Sequence, residues 1–370
     1  MKTNLFLSVL LAAPLAAQSA YLIDTNLDQL FSVDLTNGAT TLIGSTLVNG
    51  LATAADLCWR DDTNEIWTID LSGGEAGIID PATGNFTVVW NTAVNGWQGM
   101  AWDHTTKLFY VHNQNDQLST LDPVTGTLTL VGTMSPTTPL VTAIEIDALG
   151  RLWASDFAGA ILQLDKATGL EIARIPTPGL TNVQGFSIAA DGSWYAVSTA
   201  TDSLYLVDPL TGTPTLIGSN PGTQFAKGFV VTGSNLQRGG EACADGGGIV
   251  RRMAWTGNSN LGGTVLHGCE AGAIPSVTFL TYGFSTTQVG PFTLPLDMGP
   301  FGAPGCKLYQ STDAVAGPIP TGAQAAFVVP SDLSFVGLNI FAQCAILDTS
   351  AAPNPAGLVF SDLLKMTITL

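Results

Sequence analysis

Five segments along the first two-thirds of this 370-residue chain repeat one phrase with small edits. They read LFSVDLTNGATTLIG from Leu30, AGIIDPATGNFTVVW from Ala76, LSTLDPVTGTLTLVG from Leu118, ILQLDKATGLEIARI from Ile161 and LYLVDPLTGTPTLIG from Leu204. Their aspartates, Asp34, Asp80, Asp122, Asp165 and Asp208, stand 46, 42, 43 and 43 residues apart, and a glycine follows each of them four positions on. A period of about 40–45 residues carrying several short strands is the signature of propeller blades, units that bury their apolar faces only against one another.

Each D-x-x-T/N-G segment joins two runs rich in Val, Ile, Leu and Thr, residues that favour strands. Asp accepts bonds from backbone N–H groups just downstream, Pro pre-sets the next φ, and Gly supplies a positive φ where the chain returns. That chemistry makes a hairpin turn. A calcium loop needs several oxygen ligands at close alternate positions, and one carboxylate per turn does not supply them. Ahead of each hairpin lie two further strand-like runs: ADLCWRDDTNEIWTID, QGMAWDHTTKLFYVHN, TAIEIDALGRLWASD and QGFSIAADGSWYAVS. Each second run holds an aromatic (Trp67, Phe109, Trp153, Tyr195), and with the hairpin there are four strands per repeat, as one blade requires.

The ends of the array complement each other. YLIDTNLDQLFSVDLTNGATTLIG, from Tyr21, supplies three strands without an innermost one, and FAKGFVVTGSN, from Phe225, supplies an innermost strand alone. The expected fold is all-β: a five-bladed β-propeller over 20–236, closed by N-terminal strands when residues near 225–236 join 21–44, and followed by a separate domain over 237–370. Closing the ring removes exposed strand edges. A sixth blade would need another D-x-x-T-G hairpin after Asn235, and none follows.

Residues 1–19 have the form of an export signal: Lys2, the apolar run LFLSVLLAAPLAA, then small residues around Ala17 to Ala20. That run is shorter than the roughly 20 residues of a membrane span, and no later segment is long and apolar enough to be one. A secreted or surface-held monomer is expected. Net charge is −17, and 21 of the 29 acidic residues lie between 18 and 236 against 6 of the 12 basic ones. An acidic surface repels phosphate backbones, which disfavours nucleic acid as a partner.

Cys58 stands alone in the repeat array, while Cys243, Cys269, Cys306 and Cys344 share the remainder of the chain. Four cysteines in an exported domain suggest two disulfides, with three possible connectivities. After Gln237 the period stops at RGGEACADGGG, and short strand-like runs follow between Gly and Pro, the clearest being SVTFLTYGFS, KLYQST, AQAAFVVP and FVGLNIFAQCAIL. About 130 residues suit one β-sandwich.

GFSTTQ, PFTLPLDMGPFGAPGCKLY and GLNIFAQCAILDTSAAPNPAGLVFSDLLKMTITL, in that order, resemble a C-terminal domain common in secreted proteins of planctomycetes and related bacteria. The resemblance covers roughly 240–370 and implies export, a β-sandwich and a role in surface retention or sorting, without implying a reaction. Where that family usually has an aromatic after the glutamine, this chain has Cys344. The family's recurrent cysteines fall on Cys243 and Cys306, so the resemblance implies a Cys243–Cys306 bridge and leaves Cys269 to Cys344. The rival pairing joins Cys306 to Cys344 and Cys243 to Cys269. The repeats, with their LY-x-x-D-x-x-TG phrasing, are also similar to secreted propellers of unassigned function.

Signals for chemistry are sparse. His104, His112 and His267 show no metal-ligand spacing, and neither a nucleophile elbow nor a phosphate-binding glycine loop is present. No cofactor or metal is indicated. Propeller sites gather residues from separate blades, which directs attention to the innermost strands. Aligning the blades there sets Leu57, Gly99, Ala143, Gly185 and Gly228 in register, preceded by Asp56, Gln98, Thr142, Gln184 and Lys227. One polar residue per blade then rings a channel mouth, with Trp97 beside it, and such a ring suits a small polar ligand. The bland reading is that strands begin near solvent. Glu145, three residues after Thr142 and expected to face the other way, would partner Asp56 in a hydrolase, or stand as a structural carboxylate bonded to backbone or to Arg60. The other tryptophans read first as core. A secreted scaffold that binds a glycan, peptide or small molecule is the expected function; a propeller hydrolase or lactonase-like enzyme and a structural surface component are the rivals.

Overall fold

The computed structural model describes residues 19–369 except 48–50, 52, 135–139, 234, 246–247, 271–275, 321 and 348–354. The expected export signal lies outside the described residues apart from Ser19. Two short 3-10 turns aside, every regular element among the described residues is a β-strand. None is a helix long and apolar enough to cross a membrane.

The repeats form four-stranded antiparallel sheets. The chain opens with Ser19–Asp24 (β1), Gln29–Val33 (β2) and Thr40–Ser45 (β3). Four meanders follow: Ala54–Arg60, Glu65–Asp70, Glu75–Ile79 and Phe86–Asn91 (β4–β7); Trp97–Asp103, Leu108–Asn113, Gln117–Leu121 and Leu128–Thr133 (β8–β11); Val141–Ile146, Leu152–Asp156, Ala160–Leu164 and Glu171–Pro176 (β12–β15); Val183–Ile188, Trp194–Ser198, Ser203–Val207 and Pro214–Ser219 (β16–β19). Ala226–Thr232 (β20) then pairs antiparallel with β1, Ser19 opposite Thr232 and Leu22 opposite Phe229, in a sheet ordered β20-β1-β2-β3. The first strand of each meander packs on the next: β4 on β8, β8 on β12, β12 on β16, β16 on β20 and β20 on β4. These are the inner strands.

The repeated aspartates are turn residues. The N–H two positions on donates to each carboxylate at 2.7–2.9 Å, and the glycine N–H four positions on donates to each aspartate carbonyl at 2.7–2.9 Å. The five glycines take φ between 71° and 79°, a conformation L side chains resist. Between sheets, aromatics fill the gaps: Phe109 lies 4.9 Å from both Trp67 and Trp102, and Trp194 lies 4.7 Å from Trp153. Burying one such side chain stabilises the fold by roughly 1.5–3 kcal/mol.

The alignment of inner strands expected from the sequence shifts by one residue in the first meander. Opposite Trp67, Trp153 and Tyr195 stand Cys58, Glu145 and Ser187, and the second meander sets Tyr110 opposite Ala101 at that position, with Phe109 one residue before it. The extra residue of a β-bulge is Gln98 in β8, Thr142 in β12, Gln184 in β16 and Lys227 in β20, but Ala55 in β4. Asp56 therefore belongs with Gly99, Ala143, Gly185 and Gly228. A bulge resets the alternation of faces. Thr142 and Glu145, expected on opposite faces, consequently both reach toward β16.

The rest of the chain forms a second pair of sheets. Leu236–Gly239 (β21), Met253–Gly257 (β22), Thr264–Cys269 (β23) and Val277–Gly283 (β24) come first. Two-residue strands Gln288–Val289 (β25), Phe292–Thr293 (β26), Leu296–Asp297 (β27) and Lys307–Leu308 (β28) follow, then Ala314–Pro320 (β29), Ala325–Val328 (β30), Asn339–Leu347 (β31) and Leu358–Thr367 (β32). One sheet runs β21-β32-β31-β24-β29 and the other β22-β23-β30, and they share one buried cluster that includes Met253, Val265, Leu280, Ala342 and Leu364. Of the runs expected as strands, KLYQST keeps only Lys307–Leu308, whereas MAWTG and TVLHGC, which are not among the clearest runs of the sequence, are β22 and β23. Strand β21 already pairs with β32, so the second sheet pair begins at Leu236, inside the stretch assigned to the repeats. Disulfides join Cys243 to Cys306 and Cys269 to Cys344, the latter tying β23 to β31 and so one sheet to the other. Such bridges accord with an oxidising, extracellular compartment. Cys58 is a buried free thiol.

Candidate functional site

The bulges carry their side chains into the space between the inner strands. Lys227 Nζ donates to Gln98 Oε1 at 2.7 Å and to Gln184 Oε1 at 3.4 Å. Gln184 is on the neighbouring inner strand, but Gln98 is on β8, beyond the intervening β4, so the ammonium reaches across the shared space. Glycines allow the strands this close: a Cβ on Gly185 would lie 2.5 Å from Phe229 Cβ, and one on Gly228 would lie 2.8 Å from the Leu57 nitrogen. At the same position Asp56 turns its carboxyl to the neighbouring strand and accepts the N–H of Met100 at 3.3 Å, besides that of Leu57 at 2.9 Å.

Burial sets the electrostatics. It pushes the Asp56 carboxyl well above the usual range, against the two N–H donors and Lys227. It pulls the Lys227 ammonium down to about 8, with Asp56 opposing. His112, behind Gly99, is buried and held neutral at about 3, and neither ring nitrogen has a hydrogen-bond partner.

Not every residue expected in the ring joins it. Gln98, Gln184 and Lys227 meet; Thr142 instead donates to the Val183 carbonyl and contacts Ser155. Trp97 is buried and its Nε1 donates to Thr92 Oγ1 at 3.1 Å, so it lines the core rather than a mouth. Asp56 stands one residue out of register, as its bulge falls at Ala55. Gln98 alone of these keeps partial exposure.

Glu145 lies toward the other ends of the inner strands. Ser187 Oγ donates to it at 3.2 Å and the Ile146 N–H at 3.0 Å, while Arg60 pairs with Asp62 instead. Burial lifts Glu145 to about 8. Beside it a space of about 30 Å³, room for one water, is bordered by Asp61, His104 and Lys365. Lys365, from the last strand of the second sheet pair, donates to Asp61 and to Gln237 Oε1 at 3.0 Å. Burial pushes Asp61 up, but the Lys365 ammonium outweighs it and holds the carboxyl at about 2. Burial pulls the ammonium down as well, so the pair stands against a desolvation cost on both sides. Asn339 Nδ2 to the His104 carbonyl at 3.1 Å and Lys107 Nζ to the Gly337 carbonyl at 2.9 Å flank this contact. The second sheet pair thus covers the end of the array remote from Lys227. Nothing in the sequence couples residues 61 and 365, although D-D at 61–62 and a lone lysine in an apolar final strand are the residues involved.

Among the described residues no group of three or more His, Cys, Asp or Glu side chains is placed to hold a metal ion. No family model and no curated protein matches the chain. Solved structures that resemble it are β-propeller-like. They include a nidogen/laminin complex (12% identity, 58% of this chain and 98% of that one, TM-score 0.43) and a streptogramin B lyase (14%, 56% and 66%, TM-score 0.35). A protein of unknown function from Bacteroides thetaiotaomicron is a third (12%, 60% and 67%, TM-score 0.40).

Proposed function

We propose that this chain is a secreted or surface-associated scaffold: a five-bladed β-propeller closed by its N-terminal strand, with a C-terminal β-sandwich from Leu236 onward. It binds an extracellular glycan, peptide or small molecule where the inner strands begin. The register between β1 and β20 and the cyclic packing of the inner strands support closure. The resemblance of LPLD, GAPGC and the final strands to the C-terminal domain of secreted planctomycete proteins supports export, as do the two disulfides.

The observation that carries the binding reading is Lys227. Its ammonium has three protons, and two meet Gln98 and Gln184 through their amide oxygens. That leaves one ammonium proton and the amide NH₂ groups to meet the acceptor oxygens of a ligand, reached from solvent past Gln98. Nothing in this arrangement calls for catalysis: Asp56 and Glu145 are each engaged by backbone N–H groups. A glycan array on the intact protein tests the reading, with Gln98→Ala, Gln184→Ala and Lys227→Met combined so that no partner is left orphaned. Binding should vanish while the melting temperature changes little. Undiminished binding by that variant would sink the proposal.

A further inference from the structure

Between the third and fourth meanders and the second sheet pair lies a cavity of about 350 Å³, bordered by Arg151, Leu210, Arg252, Lys307 and Tyr309 among others. We infer that it is a second ligand site, separate from the ring at Lys227, and that it takes a small carboxylate-bearing solute.

Its size comes first: small-molecule sites run from roughly 300 to 1,000 Å³. The distribution of charge comes next. In a chain with 29 acids and 12 bases, nearly every cation is held in an ion pair. Arg60, Lys107, Arg151, Lys166, Arg174, Arg238, Arg251 and Lys365 all are. Among the described residues Lys227, inside the array, and Arg252 and Lys307 form no such ion pair, although Asp56 acts on Lys227, Asp362 on Arg252, and Asp297 stands opposite Lys307. Arg252 and Lys307 are exposed, and both border this one cavity.

The acids that also border it divide into two kinds. Asp147 is saturated, accepting from Leu149 N–H at 3.0 Å, Arg151 N–H at 2.9 Å, Arg151 Nε at 2.6 Å and Trp153 Nε1 at 2.9 Å. Asp362 accepts from the Met253 N–H at 2.6 Å and from Arg238. Asp191 and Glu241 retain free oxygens. Arg151 uses only Nε, which leaves its two terminal nitrogens as donors, and Tyr309 accepts the Glu241 N–H at 2.9 Å while keeping its own proton. The cavity therefore offers two cations not held in an ion pair, further guanidinium donors and a phenol proton. Guanidinium forks match oxyanions in a planar, bidentate way. Asp191 and Glu241 in the same walls repel a dianionic phosphate more than a monoanionic carboxylate, which selects the latter. Leu210, 67% exposed, and Val250, 42% exposed, supply an apolar rim.

Calorimetric titration of the intact, disulfide-bonded chain with D-galacturonate and with L-glutamate, against neutral D-galactose, tests this. At least one acid should bind with 1:1 stoichiometry, and galactose at least tenfold more weakly. Arg252→Gln with Lys307→Gln should weaken the acid at least tenfold without moving the melting temperature, as both side chains are exposed. Leu210→Glu, which sets a carboxylate at the rim, should do the same. Asp191→Asn separates the sources: it strengthens a sugar acid by removing repulsion and weakens an amino acid by removing a partner for its ammonium. The Gln98/Gln184/Lys227 variant should bind these acids as the wild type does. No binding of either acid at about 10 mM, well above a Kd of 1 mM, or unchanged binding by the Arg252/Lys307 variant, overturns the inference.

Discussion

Replacing Lys365 by methionine isolates the contact that ties the repeats to the second sheet pair. The Lys365 side chain has no exposed surface and that of Asp61 is 3% exposed. Methionine preserves much of the aliphatic stem, so the substitution removes the ammonium more than the packing. Asp61 keeps Trp102 Nε1 at 3.0 Å and Thr367 Oγ1 at 3.3 Å but loses its counter-charge. A buried charge stripped of its partner costs about 3–5 kcal/mol. The two surviving donors and the water-sized space beside them place this case at the lower end, about 3 kcal/mol. Asp61 is held at about 2, below an unfolded value of about 3.9. Its stabilising share is thus present above about pH 4 and is lost as pH falls toward 2. In the variant the carboxyl rises instead, so the deficit should be largest near neutral pH and shrink on acidification, because a protonated Asp61 needs no counter-charge. Urea unfolding followed by tryptophan fluorescence at pH 7 and at pH 4.5 reads both effects. Asp61→Asn combined with Lys365→Met should cost at least about 1 kcal/mol less than the sum of the single variants. A Lys365→Met protein within about 0.5 kcal/mol of wild type at pH 7, or strictly additive behaviour, would refute the reasoning.

Asp24 accepts the N–H groups of Asn26 and Leu27 from its own turn and of Gln224 and Phe225 from the far end of the array. Asp24→Ala should therefore cost about 2–3 kcal/mol, measured by chemical denaturation, against about 1 kcal/mol for the exposed turn residue in Asp208→Ala. Glu145, raised from 4.5 to about 8, binds a proton in the folded state that the unfolded chain releases. Its stabilising share is complete below about pH 4.5 and lost as pH rises through 8. Glu145→Gln should flatten the fall in melting temperature across that window, and an unchanged slope would show that the carboxyl ionises freely. Removing the Cys243–Cys306 bridge with two serines opens a loop of sequence separation 63, which should cost about 4 kcal/mol on the chain-entropy account. Peptide mapping without reduction checks the pairing itself, since a Cys306–Cys344 peptide contradicts both bridges.

Local grammar was legible because it is local. The turn at each repeated aspartate uses groups within four residues of one another, so its bonds recur in all five copies. Strand content, the period and the complementary ends of the array follow from the same short-range chemistry, and so does the expectation that Trp67 and Trp153 are core. One-residue features were not legible in this way. The bulge at Ala55 instead of Asp56 depends on how β4 seats against β8, and period-2 alternation offers no sign of where it resets. The same limit hid the common orientation of Thr142 and Glu145.

The sequence by itself determined the all-β class, the repeating four-strand unit and the polar residues available to a shared axis, because alternation, turn chemistry and periodicity are written within a few tens of residues. The tertiary structure alone decided which of those residues meet. Lys227 reaches Gln98 over 129 positions of chain, and Lys365 reaches Asp61 over 304. Arg252 and Lys307 border one cavity with Arg151 only because the second sheet pair is docked against the third and fourth meanders. Such meetings depend on the mutual packing of whole sheets, where the energy of burial is set by surfaces that no single segment contains.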